Sequence, residues 1–216
     1  MSAPRAVEDT QASAHAAARL RTMISDGALC PGAKLSEQTV AGELGVSRNT
    51  LRESFTTLAA EGLVDRIPHR GVFVMDPGTE DVRDLYAARG ILETGAVLWG
   101  ELDEALLARL QDTVSEALAA RDSGNVAGMG NANQRFHREL VTGCGSTSLL
   151  TEMDRILARM RLVFHLMTED PQFHARYAVR NAEVLDVLQT GDRERAASLL
   201  RESLVAAQEE LLAHVG

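Results

Sequence analysis

Three groups of side chains in this sequence have the types and spacing to do chemistry. The first is Arg48, Asn49 and Arg52. Residues four apart share a helix face, and an arginine fork can donate to O6 and N7 of guanine in a bidentate way. The second is Arg70 with Gly71, a cation beside a residue whose missing Cβ lets the backbone approach a phosphate or groove edge closely. The third is Asn133 with His137, one helical turn apart, where amide and neutral imidazole can both donate and accept hydrogen bonds. Arg89 and Glu93 stand at i,i+4, a spacing that usually means a structural ion pair. Catalytic signatures are missing: there is no Gly-rich phosphate loop, no nucleophile elbow and no His-Glu pair of the zincin type. Cys30 and Cys144 lie far apart without metal-like spacing, which predicts free thiols in a reducing compartment.

The elements that must position these groups can be read from caps and periodicity. Ser36 is a good N-cap, and Val40, Ala41 and Leu44 follow at helical spacing, which predicts a short helix from Glu37 to Leu44. Gly45 suits the positive φ of a tight turn, Val46 can plug the space between crossing helices, and Ser47 caps the next helix. That helix buries Leu51, Phe55 and Leu58 and carries the arginines at its N-terminal end, the end of a recognition helix that meets base edges. Past Gly62, Leu63 and Val64 predict one short strand and Val72, Phe73 and Val74 its partner, with Pro68 to Gly71 as the tip. The segment predicts a winged helix-turn-helix that binds double-stranded DNA.

Net charge is −9. Residues 1–76 hold eight Lys plus Arg and nine Asp plus Glu, a balance of −1, so the remaining 14 basic and 22 acidic residues put −8 on the rest. DNA binding then depends on local placement of Arg21, Arg48, Arg52 and Arg70 rather than on bulk charge. Lys34 is the chain's single lysine. With no apolar run of about 18 residues and no apolar signal core, the membrane and secretory classes are set aside, and a cytoplasmic protein is expected.

Residues 1–10 lack periodicity and predict a disordered N-terminus; 11–76 form the DNA-binding domain, with Ala17, Leu20, Met23 and Ile24 marking its first helix. Residues 77–79 read as a linker, with Thr79 as an N-cap. Residues 80–216 repeat apolar side chains at three and four, through Val82, Leu85 and Tyr86, then Leu106, Leu110 and Val114, to final helices near Pro171–Thr190 and Asp192–His214. About six helices imply a bundle. The fold class is mainly α: a winged helix-turn-helix with a small β-wing, then an all-α bundle.

The N-terminal motifs Gly27-Ala28-Leu29-Cys30-Pro31-Gly32, Leu35-Ser36-Glu37, Gly45 to Glu53, Glu61-Gly62-Leu63-Val64 and Arg70 to Val74 resemble the winged helix of GntR-family transcriptional regulators. The resemblance implies operator contacts from Arg48, Arg52 and Gly71. It departs at Thr50, where many members carry proline; the exchange leaves the fold intact while altering backbone or base contacts.

The second half, on Asp84 to Glu93, Asn133 to Leu140, and Val184 to Asp192 with Ala196, resembles the FCD domain of the FadR-like branch, an effector-binding and dimerisation domain. Many such domains hold a divalent metal with an Asp and three His. The positions here read Asn133, His137, Asn181 and Ser203, one imidazole among amides and a hydroxyl, which implies no metal or other cofactor. The same four residues would hold a small polar metabolite such as an organic acid, with Arg89 and Arg180 meeting its carboxylate. The expected protein is a homodimeric, ligand-responsive repressor on a short inverted repeat. A winged helix that binds proteins instead of DNA is the alternative.

Overall fold

The computed structural model describes the backbone of residues 3–167 and 170–215, and the side chains from residue 11 onward within those limits except Leu166. It divides into two compact units, residues 1–77 with Ala158–His165, and residues 78–157 with 166–216.

In the first unit α1 (Ala3–Ser25) buries Ala16, Ala17, Leu20 and Ile24. Of the N-terminus expected to be disordered, residues 1–2 lie outside the described residues, while 3–10 continue α1, which corrects that expectation. The reason is propensity: no apolar period marks this stretch, but alanines and a Glu favour helix, and Pro4 stands in the first turn, where its missing N–H is harmless. After α1 come β1 (Lys34–Leu35), α2 (Glu37–Leu44), α3 (Arg48–Ala60), β2 (Val64–Ile67) and β3 (Gly71–Val74). Gly45 takes φ 68° after α2, as the turn demands, and the Val46 N–H returns to the Ala41 carbonyl at 3.1 Å. β3 is the middle strand of an antiparallel sheet ordered β1-β3-β2, with Lys34 opposite Phe73 and Arg66 opposite Val72. β1 escaped the sequence reading because two residues show no period. Leu51, Phe55 and Leu58 are fully buried and fix the rotation of α3 about its own axis.

The second unit is helical: α4 (Thr79–Trp99), α5 (Glu104–Asp122), α6 (Val126–Thr142), the greater part of α7 (Thr147–Phe164), α8 (Pro171–Gln189) and α9 (Arg193–Leu212). The N-cap of α4 is Gly78 rather than Thr79, because Asp81 supplies the capping oxygen and accepts from the Gly78 N–H at 3.0 Å. α4 packs on α6 and α9, α5 on α6 and α8, and α8 on α6 and α9, which brings side chains of α4, α6 and α8 into one interior. The last turns of α7 group with the first unit, where Leu162 is fully buried in that unit's core, so the boundary near residue 77 is not the only crossing of the chain.

Candidate nucleic-acid interface and buried polar cluster

The exposed edge of α3 begins at its cap. Ser47 Oγ accepts from the Thr50 N–H at 3.1 Å and lies 2.8 Å from Thr50 Oγ1. Thr50 is buried, so it completes the cap and does not face outward as a contact residue. The sequence carried the signal: 47, 50, 51, 54, 55 and 58 form a three-four pattern that puts Thr50 and Ser54 on the buried stripe beside Leu51 and Phe55. Arg48, Asn49 and Arg52 are exposed together.

Arg52 has a partner that sequence reading missed. Its Nε donates to Glu37 Oε1 and Oε2 at 2.9 and 3.0 Å, and its Nη2 lies 2.8 Å from Oε2. This guanidinium bond holds the Glu37 carboxyl below its usual range, against the small opposing effect of burial. Two of the five N–H groups of Arg52 are engaged by Glu37, and the Nη1 side stays available to a base edge. Arg66 of β2 adds a third cation to this face, donating from Nη1 to Thr56 Oγ1 at 3.1 Å.

The wing carries a second basic group. Arg70 and Lys34 each lie over the Phe73 ring, at 5.7 and 5.8 Å from its centroid. Gly71 has φ 112°, outside the range of ordinary L residues, and a Cβ there would meet Lys34 Cε at 3.4 Å. Lys34 had been noted but given no role; its position opposite Phe73 follows from β1, the strand the sequence did not reveal.

Arg21 is elsewhere. It binds Glu61 bidentately, Nε to Oε2 at 3.0 Å and Nη2 to Oε1 at 2.8 Å. Glu61 is the C-cap of α3, thirteen residues past Arg48 and about 20 Å along the helix from the reading end. Arg21 therefore ties α1 to α3 at the end of α3 away from Arg48.

In the helical unit a chain of buried polar groups crosses from α4 to α6. Arg89 Nε donates to Glu93 Oε1 at 2.6 Å, and Glu93 Oε2 lies 2.7 Å from His137 Nδ1. Tyr86 flanks this chain, with the Arg89 guanidinium 5.0 Å from its ring centroid, and burial pushes the Tyr86 hydroxyl up to about 12. Burial holds His137 below the ordinary imidazole value, and Glu93 offsets this only in part. A neutral His137 then donates Nδ1–H to Glu93 and leaves Nε2 as an acceptor. Burial also pushes the Glu93 carboxyl up, but Arg89 and His137 outweigh it and hold it below the usual carboxylate range. Beside this chain Asn181 Nδ2 donates to Asn133 Oδ1 at 2.8 Å, and Ser203 of α9 is buried.

Of the six residues expected to meet an effector, Asn133, His137, Asn181, Ser203 and Arg89 are buried in this unit and Arg180 is not. Arg180 lies over the Tyr177 ring at 5.9 Å and lines a surface groove of about 430 Å³ with Arg176, Glu183 and Glu202. Its neighbour Asn181 takes the inward direction. Arg89 is inside but already paired, so it is not an open cation. Glu93 is the residue the sequence reading left out of the site; its i,i+4 spacing to Arg89 was visible, its bond to His137 was not.

The donors do not suit a divalent metal. Among the described residues no three His, Cys, Asp or Glu side chains come together. Glu93, the one buried carboxylate among the described residues, is spent on Arg89 and His137, and the two amides bond each other. Among the described residues no helix is long and apolar enough to cross a membrane, and Cys30 and Cys144 are free.

Comparison with known proteins gives two family matches. Residues 12–74 match the model of bacterial regulatory proteins of the gntR family, and residues 84–206 match the FCD domain. The sequence is 30% identical over 196 residues to an HTH-type transcriptional regulator in an unstable DNA locus of Streptomyces ambofaciens, covering 89% of this chain and 82% of that one. It is 26% identical to a protein named as a probable D-xylose utilization operon transcriptional repressor of Paenarthrobacter nicotinovorans, covering 85% and 81%. Among solved structures, a transcriptional regulator of the GntR type from Rhodococcus sp. RHA1 superposes with a TM-score of 0.84 at 34% identity, covering 93% of this chain and 97% of that one.

Proposed function

This chain belongs to the GntR family of bacterial regulatory proteins and carries its FCD domain, so it is a DNA-binding transcriptional regulator and not an enzyme, and from that premise we propose that it is a ligand-responsive repressor. It acts as a homodimer on a short inverted repeat in the bacterial cytoplasm, and a small organic acid in the helical unit controls it. The observation that carries the DNA reading is the exposed edge Arg48, Asn49 and Arg52 beside a wing with Arg70 and Lys34 on Phe73. The name of the Paenarthrobacter relative supports repression.

The effector reading rests on the polar interior. His137 Nε2, the amides of Asn133 and Asn181, and the Ser203 hydroxyl offer donors and acceptors on α6, α8 and α9. The metal-free reading follows from the same donor set. A ligand shifts the protein between two states only by its difference in affinity for them, so the response must come from these bonds being better made in one state. An anionic ligand would compete with Glu93 for Arg89 or accept from the amide N–H groups, and a hydroxyl on the same ligand would donate to His137 Nε2.

Gel shifts of genomic fragments at two salt concentrations, with and without a panel of small carboxylic acids, test the whole reading. Affinity should fall as salt rises, and one acid should change it in wild type but not in His137→Gln. Salt-independent binding, or equal affinity for operator and random DNA, overturns it. Stoichiometric zinc or nickel in protein purified without added metal, with a lower melting temperature on chelation, overturns the metal-free part.

A further inference from the structure

β2 pairs with β3 so that Val64 stands opposite Val74 and Arg66 opposite Val72. Cross-strand partners share a face of the sheet and successive residues alternate, so Arg66 emerges on the side of the buried Val64, Val72 and Val74. Asp65, opposite Phe73, is on the other side. The Arg66 side is the one turned to α3: its Nη1 donates to Thr56 Oγ1 at 3.1 Å, and Thr56 Oγ1 donates to the Arg52 carbonyl at 2.9 Å. Both residues are exposed, so the pair lies open to solvent between the reading helix and the wing. Other arginines of this unit are held by carboxylates, Arg21 by Glu61 and Arg52 by Glu37. Among the described residues Arg66 makes no ion pair, and it spends one of its five N–H groups, on a neutral hydroxyl. It acts on the Glu37 carboxyl only through space, behind Arg52 and Arg48. A chain with 31 acidic and 22 basic side chains has carboxylates to spare, so a cation kept oriented, exposed and unpaired is left for an anion from outside.

We propose that Arg66, set by Thr56, binds the DNA backbone strand that passes between the reading helix and the wing. A recognition helix meets base edges with its N-terminal residues. Thr56 lies eight residues past Arg48, about 12 Å along the axis of α3, and the major groove is about 12 Å wide, so with Arg48 at the bases the third turn has reached the phosphate rim. On a duplex the major and minor grooves are separated by one phosphodiester strand. A helix in the major groove and a wing reaching to the groove beside it therefore have that strand between them, and Arg66 is the cation that faces this gap. Lys34 and Arg70 do not fill this place, because both lie over Phe73, on the opposite side of the sheet from Arg66. A phosphate is the same at every step, so the contact carries no base preference. It fixes instead how deep α3 sits and where the wing falls, and so the register in which Arg48 and Arg52 read.

The test is fluorescence anisotropy of the full chain over a range of salt, on a short duplex of random sequence and on an operator fragment selected by gel shift. Arg66→Ala and Arg66→Gln should lower the slope of log affinity against log salt by about 1 per protomer. Both duplexes should bind about five- to tenfold more weakly at moderate salt, with their ratio unchanged. Arg66→Lys keeps the charge and should restore the slope. Thr56→Val keeps the charge but removes its anchor, so it should weaken both duplexes less than Arg66→Ala does, at the wild-type slope. Melting should hardly move, because the pair is exposed. Arg66→Gln retains a donor for Thr56 without the charge, so if Arg66 only ties β2 to α3 this variant binds like wild type, which overturns the proposal. Methylphosphonates, each removing one phosphate charge from the operator, then locate the contact. At one phosphate on the strand between the two grooves, wild type should lose what Arg66→Ala loses, and Arg66→Ala should lose nothing further. An unchanged slope in Arg66→Ala, a loss confined to one base pair, or the absence of such a phosphate also overturns it.

Discussion

Arg52 and Glu37 each limit what the other can do. Glu37 orients the guanidinium at the cost of placing a carboxylate beside a polyanion, and it leaves the Nη1 side for guanine. Arg52→Ala is expected to weaken operator binding by about one to two orders of magnitude and to relax preference at one base per half-site. Glu37→Gln removes a repulsive charge and frees the fork, so affinity for random DNA should rise while the ratio of operator to random binding falls. Competition gel shifts with single-base operator variants read both, and an unchanged ratio would show that Glu37 does not position Arg52. In the helical unit the prediction is one of pH. The folded His137 value lies below the unfolded 6.5, so below that pH the unfolded chain binds a proton that the folded chain refuses. Stability should fall as pH drops below 6.5. Glu93 acts in the same direction at lower pH: its folded value is depressed, and its contribution is lost as pH drops through that value. Urea unfolding at neutral pH and near pH 5.5 should show a smaller difference in His137→Gln than in wild type; equal slopes would mean His137 already titrates normally.

The reading helix is an element set by its cap and its buried stripe. Ser47→Ala removes the acceptor for the Thr50 N–H and should cost about 1 kcal/mol of stability while loosening the turn that carries Arg48 and Asn49. Thermal melting and operator affinity should fall together. Arg21→Ala separates the two readouts. Its bond to Glu61 is at the far end of α3, so stability should drop by less than about 1 kcal/mol and base preference should not move. Arg70 belongs to the wing and should behave in the opposite way. Arg70→Ala is expected to weaken all sequences alike and to lower the slope of log affinity against log salt by about 1. A loss confined to one base pair would instead assign Arg70 to groove reading.

For the whole molecule the deciding quantity is the uneven charge. A winged helix with a balance of −1 attached to a remainder of −8 has little bulk attraction for DNA. In the proposed homodimer, specific binding would depend on linking two weak modules, and linkage multiplies affinity without new contacts. A full inverted repeat should bind about a hundredfold more tightly than a single half-site. Titrations of both duplexes at fixed salt check this; similar affinities would mean one protomer suffices.

The winged segment was legible because its determinants are local. A cap at Ser47, a positive-φ glycine at Gly45 and apolar residues at three-four spacing act within a dozen residues, and the structure has those elements where they were expected. The same local rules gave the count and type of the later helices. They also explain what was not seen: Thr50 lies on the buried stripe, although the family resemblance pointed to backbone or base contacts there, and β1 was too short to show alternation. What only the tertiary structure decided are the partners. Arg52 meets Glu37 across 15 residues, Arg21 meets Glu61 across 40, His137 meets Glu93 across 44 and Asn181 meets Asn133 across 48. Periodicity tells which side of a helix turns inward, but a buried charge or amide takes the complementary group that packing brings within about 3 Å, and that choice depends on how whole helices cross.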